Sequence, residues 1–134
     1  MLDYGLLLTM AAAKSGSAPM LNSFLFTFSE VATLAAAGAF LIGSLINASA
    51  IKPIRDEFVR YGFPWWWCFV TAILEFLTAC LLVMGSTFAF GAILGVCIMV
   101  AAIVAVIRAR DFGHILPPAA FLTLLLIAIF AHTS

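Results

Sequence analysis

The sequence predicts an all-α fold: an integral membrane four-helix bundle with a short interfacial helix between helices one and two. Three observations lead there. Of 134 residues, 66% are hydrophobic and 9% charged, against about 25% charged in soluble domains. A water-soluble fold of this length cannot bury so much apolar surface, so the bilayer must act as solvent. The apolar runs are continuous, whereas barrel strands would alternate, so helices are the way for the backbone to satisfy its polar groups in lipid. The five prolines (Pro19, Pro53, Pro64, Pro117 and Pro118) all fall at or outside the ends of these runs, as helix breakers should.

Residues 1–23 read as an N-terminal extension and residues 24–134 as the transmembrane domain. Met1, Leu2 and Asp3 lack the basic start of a cleaved signal, and the apolar run from Leu6 stops at Lys14. Within the extension, residues 2–13 fit a short interfacial helix or no fixed structure. Four spans follow, at about residues 24–47, 65–84, 88–107 and 116–132. The last is close to the lower spanning limit of roughly 17 residues. Gly85, Ser86 and Thr87 alone separate the second and third spans, which makes those two an antiparallel hairpin. In the longer first connection, Ile51, Ile54, Phe58 and Tyr61 recur at helical spacing, with Lys52, Arg55, Asp56, Glu57 and Arg60 between them. That pattern suits a helix lying in the interface. Asp56 and Arg60 have the spacing of a helix-stabilising ion pair. Gly62, Phe63 and Pro64 then turn the chain back, and Trp65, Trp66 and Trp67 anchor the second span among the headgroups. Five of the six basic residues belong to the first and third connections. The positive-inside rule therefore places those connections in the cytoplasm and both termini on the other side.

The most informative residue is Glu75, midway along an otherwise uncharged run from 65 to 107. A charge near the bilayer centre costs roughly 2.5–3.5 kcal/mol on insertion scales. This carboxyl must be neutral, paired or wetted, and it is the leading candidate for an acid, base or proton carrier. Cys68, Thr71 and Thr78 share its helix face at steps of three and four and are candidates to line a cavity. Their alternative role is close packing with interhelical hydrogen bonds. Glu30 is a weaker catalytic candidate: it lies six residues into span one, at a depth that rise per residue puts within about 6 Å of Glu75. Its alternative is a solvated carboxylate near a helix N-terminus. Cys97 and Glu75 lie equally far from the turn, so Cys97 is a further cavity-lining candidate. Gly91 and Gly95 form a small-xxx-small pattern for helix packing, within one chain or between two. Arg108 and Arg110 mark the basic interface and suit anionic lipid.

Other chemistry is not encoded. The three cysteines (Cys68, Cys80 and Cys97) form no CxxC pair and give neither a disulfide framework nor a metal site. His114 and His132 fall at opposite ends of the layout. No nucleophile triad, phosphate loop or cofactor motif is present, and zero net charge argues against a nucleic-acid partner.

From Pro53 to Leu82, the wording Ile54-Arg55-Asp56-Glu57-Phe58-Val59-Arg60-Tyr61-Gly62-Phe63-Pro64, the aromatic anchor and the central Glu in Ala72-Ile73-Leu74-Glu75-Phe76-Leu77 resemble the DoxX-like family of four-helix bacterial membrane proteins. The likeness covers about residues 30–132. It implies an inner-membrane location. The wider group includes a subunit linked to thiosulfate oxidation with quinone as acceptor, so the resemblance also implies membrane redox, with quinone as cofactor and an oxidoreductase subunit as partner. A homo-oligomer is expected from the residues instead, four helices being few for a carrier and Gly91 and Gly95 offering a contact. Many members carry a lysine late in helix one. Here that stretch reads Leu45-Ile46-Asn47, with Lys52 further on, a departure from the family pattern. The residues themselves leave three functions open: a redox-associated subunit acting near a quinone or another lipophilic molecule, a proton-coupled transporter subunit, and a non-catalytic accessory protein. Whether the chain is an enzyme stays open with them.

Overall fold

In the computed structural model, which describes residues 4, 5, 8 and 18–133, every regular element is helical among the described residues. Helix α1 spans Ala18–Ser49, α2 Lys52–Arg60, α3 Trp67–Val83, α4 Phe88–Arg108 and α5 Leu116–Thr133. Single 3-10 turns, Gly85–Thr87 and Phe112–His114, join the last three. The assignment of residues 2–13 falls almost wholly outside the described residues. The first helix is already formed at residue 18, the first of the continuous described residues, ahead of the expected 24; Pro19 is compatible with a position in a first turn, where a missing N–H costs nothing.

The breaks follow backbone chemistry. At the end of α2, the Gly62 N–H bonds the Val59 carbonyl and the Phe63 N–H bonds the Phe58 carbonyl. This paired closure needs a left-handed residue, and Gly62 supplies it with φ 92°. The end of α4 closes the same way through Arg110 and Asp111, but with Arg110 at φ 55° in the place that glycine normally fills. Phe63 stacks on Trp67 at 5.7 Å between ring centroids, and the Arg55 guanidinium lies 5.9 Å from the centre of the Trp65 ring. These contacts brace the interfacial helix against the start of α3.

Helix α1 packs on α3 and α5, and α4 packs on the same two, so the four apolar helices close into a ring. Its core is Ala32, Ala36, Phe40, Leu82, Met99, Leu125 and their neighbours. Small residues set the spacing. A methyl at Gly91 would lie 2.9 Å from the Leu82 backbone nitrogen, and one at Gly95 would lie 2.7 Å from Leu125 Cδ2 and 3.0 Å from Thr78 Cγ2. Both glycines are buried inside the protomer, where α4 closes on its neighbours.

The Ser44 hydroxyl donates to the Ala72 carbonyl at 2.7 Å and fixes the register of α1 against α3. Ser44 lies five residues before the end of α1, and Ala72 five after the start of α3, so these ends are level. Counting back at equal rise, Val83 comes level with about Thr33. Residues 18–30 of α1 therefore run on by about 20 Å past α3, at about 1.5 Å per residue.

Candidate functional site around Glu75

Glu75 is the central residue of α3 and only 4% exposed. Its Oε2 accepts a hydrogen bond from Asn47 Nδ2 at 2.7 Å. The pairing follows from side-chain direction. Helical side chains lean toward their own N-terminus. In this antiparallel pair, Glu75 leans toward the basic end of the bundle while Asn47 leans away from it, so the two meet between their helices. The carboxyl therefore sits nearer the basic end than its own Cα.

Two further residues shape the site. Gly43 of α1 lies against the other carboxylate oxygen: a methyl there would be 3.0 Å from Oε1 and 3.0 Å from the Phe121 ring. Phe121 of α5 packs edge-on against Phe40 at 5.8 Å. The carboxyl is thus held between an amide donor and a bare stretch of helix backbone, with the Phe121 ring beside the same glycine. Among the described residues no cationic side chain forms an ion pair with it.

The sequence-predicted residues distribute differently. Thr71 and Thr78 do face inward with Glu75, but their hydroxyls donate to the Trp67 and Leu74 carbonyls of their own helix, at 3.2 and 2.9 Å. A hydroxyl four residues after a helix carbonyl reaches that oxygen's second lone pair without crossing to another helix. Cys68 is fully buried on the same face. Cys97 is exposed on the outside of the bundle, away from Glu75, because equal depth on two helices does not fix which way a side chain turns. It lines an open groove of about 530 Å³ with Phe88, Val96, Ile129 and His132, the His132 ring being stacked on Phe88 at 3.9 Å. Glu30 is exposed at the far end of the bundle. Asn47, which touches Glu75, is 17 residues further along α1, so Glu30 is about 25 Å away along that helix. The two carboxyls do not form a pair; the estimate from span ends failed because α1 is far longer than α3.

Asn47, Ser44 and Gly43 were missed as site residues. A signal existed: two polar side chains three apart, beside a glycine, in an apolar helix.

A second polar cluster ties α2 to the α4–α5 connection. Arg60 Nη2 donates to Asp111 Oδ2 at 2.8 Å, the Tyr61 hydroxyl lies 2.9 Å from the same oxygen and 3.0 Å from Glu57 Oε1, and His114 Nδ1 lies 2.9 Å from Asp111 Oδ1. The expected Asp56–Arg60 pair is replaced by this bond across 51 positions, because α2 lies alongside the connection. His114, Tyr61 and Arg60 together hold the Asp111 carboxyl below the usual carboxylate range. Desolvation, then the two neighbouring carboxylates, push the Tyr61 phenol above its ordinary value. A depressed carboxyl stabilises the fold above its unfolded value and loses that effect as pH falls. A raised phenol stabilises below its unfolded value and loses that effect at the alkaline end. The docking of α2 is therefore expected to hold at neutral pH, and to loosen below about pH 4 and above about pH 10. Amide hydrogen exchange across residues 52–61 at stepped pH is the measurement. Tyr61→Phe should speed that exchange at neutral pH, and an unchanged rate would show that the cluster does not hold the helix.

A comparison with protein families matches residues 31–128 to the DoxX-like family. The chain belongs to the DoxX-like family. Among curated proteins and solved structures, nothing matches the chain. The DoxX-like match takes in α2, α3 and α4 whole, α1 from residue 31, where it enters the bundle, and α5 as far as residue 128. Three segments, Met20–Ser49, Gly85–Arg108 and Phe112–Thr133, are long and apolar enough to cross a membrane, and Trp67–Val83 is a shorter apolar helix. This DoxX-like chain is a membrane protein. Its Glu75 is met by the neutral amide of Asn47, in the stretch Leu45-Ile46-Asn47 that departs from the family pattern.

Proposed function

We propose that this DoxX-like protein is a multi-pass protein of the bacterial inner membrane that serves as an accessory subunit, and that Glu75 pins α1 to α3 rather than reacting. One observation carries this reading: the carboxyl is sealed at 4% exposure, with its amide partner on one oxygen and the Gly43 backbone, itself flanked by Phe121, beside the other. An intramembrane carboxyl is otherwise a functional group by default. Here its neighbours look like those of a packing contact. Lys52, Arg55, Arg60, Arg108 and Arg110 lie in or beside the same two connections, which favours a cytoplasmic position for them and termini on the opposite side.

The test is Glu75→Gln. The glutamine side chain keeps the shape and an oxygen for Asn47 but cannot exchange a proton as a carboxyl does. Cells or proteoliposomes carrying it should retain whatever redox rate or proton flux the wild-type chain supports, with unchanged thermal stability. Loss of either activity in a stable Glu75→Gln protein would make the carboxyl a reacting group.

A second reading, a subunit acting on quinone or another lipophilic redox molecule, is favoured by the outer groove, where the His132–Phe88 stack and the Cys97 thiol lie on one lipid-facing surface. In proteoliposomes with quinone, His132→Ala should then lower the redox rate while Glu75→Gln does not.

A further inference from the structure

We propose that the outward face of α1 is a dimerisation seam, on which a second copy of this chain packs its own α1 in parallel. The first observation is length. Helix α1 has 32 residues, while α3, α4 and α5 have 17, 21 and 18. The three shorter helices suit a hydrocarbon core of about 30 Å. Tilting could absorb the excess only if the whole bundle tilted with α1, and the other three helices have no length to spare. The first thirteen residues of α1 therefore stand beyond the bundle.

That overhang is amphipathic. Asn22, Ser23, Thr27, Ser29 and Glu30 gather on one side at helical spacing, with Phe26 as the large apolar exception. Leu21, Phe24, Phe28 and Val31 fall on the other side, and all four are exposed. This apolar side is not the continuation of the bundle-facing stripe. Ala32, Ala36 and Phe40 define that stripe, and at 100° per residue the overhang's apolar arc is turned from it by roughly 100°. Lipid covers such a face within the bilayer, but nothing among the described residues covers it beyond.

The spacing indicates what does. Leu21, Phe24, Phe28 and Val31 alternate steps of three and four, the repeat with which two helices supercoil. The repeat runs on without a break through exposed Ala35 and half-buried Gly38, which lies at the edge of the open groove between α1 and α3, and on to exposed Ile42 and Leu45. A methyl added at Gly38 would meet nothing within 4 Å, so the protomer's own packing does not call for that glycine, whereas a second helix could approach closely there. No charged residue occupies the seam. Glu30, the one charge on α1, falls away from it, so two identical faces meet without like-charge repulsion. Copies inserted the same way present this seam in parallel, each position opposite its own counterpart.

Disulfide mapping of the full chain in lipid nanodiscs tests this, on a background with Cys80→Ser and Cys97→Ser. Single thiols at Phe24→Cys and Phe28→Cys should cross-link two copies at least tenfold faster than thiols at Ser23→Cys and Phe26→Cys. The double variant Phe24→Glu with Phe28→Glu should raise the dimer dissociation constant at least tenfold while helicity stays unchanged, since both sites lie outside the bundle core. Equal cross-linking at all four positions would mean random collision and overturn the seam. A monomer at every concentration would do the same, and if the thiols at 24 and 28 were then shielded from a water-soluble maleimide, the face would belong to residues 1–17 of the same chain.

Discussion

Gly91→Ala is expected to be among the most damaging single-atom additions in this protein. The new methyl would lie 2.9 Å from both the Leu82 backbone nitrogen and Leu81 Cβ. Neither is the free end of a side chain, so relief requires α3 and α4 to move apart along their whole contact. Overpacking of this kind costs typically 1–3 kcal/mol. Gly95→Ala provides the comparison. Its nearest neighbour is the Leu125 methyl at 2.7 Å, the far end of a side chain that has other rotamers, although Thr78 and Phe40 crowd it too. Thermal unfolding in one detergent should therefore place Gly91→Ala below Gly95→Ala, and both below wild type. If Gly91→Ala unfolded at the wild-type temperature, the close approach of α3 and α4 would be wrong.

The second large effect is the non-additivity of Glu75 and Asn47. Glu75→Leu leaves the half-buried Asn47 amide beside an alkyl group; a fully buried orphaned donor costs about 1–3 kcal/mol, and this one should fall toward the lower end. Asn47→Leu leaves the carboxyl without its donor and should cost at least as much, because the stranded group is the more polar one. The double variant removes both partners. Two apolar side chains facing each other across α1 and α3 are nearly neutral in that setting. Unfolding measurements on the two single variants and the double should therefore show the double more stable than either single, with a coupling of about 1–3 kcal/mol. Simple addition of the two losses would mean that the hydrogen bond between the helices does not form in the membrane. The result bears on function: if the double variant also supports activity, Glu75 is an interhelical pin.

Much of the architecture was legible in the residues themselves. Apolar run length, proline placement and the Gly85–Thr87 turn located α3, α4 and α5 to within a few residues, because these are local properties of the chain in lipid, while the start of α1 was set at least six residues too late. The amphipathic spacing from Ile51 to Tyr61 located α2 for the same reason. Glu75 stood out because a carboxyl in an apolar run is costly wherever the helix turns. Which residue answers it was not legible. Asn47 and Glu75 are separated by 28 positions, and their meeting depends on the register set by Ser44 and Ala72 and on the opposite lean of side chains on antiparallel helices. The same holds for Arg60 with Asp111, for the separation of Glu30 from Glu75, and for Cys97 turning outward: depth can be counted from a span end, but azimuth and register cannot. The sequence by itself determined that this protein is a bundle of apolar helices with one carboxyl that needs an explanation, because composition and periodicity act through solvent and local backbone. Only the tertiary structure decided that the explanation is an amide on α1, because helix–helix register is set by the sum of small packing contacts among Gly43, Gly91, Gly95 and the side chains that fill the space they leave.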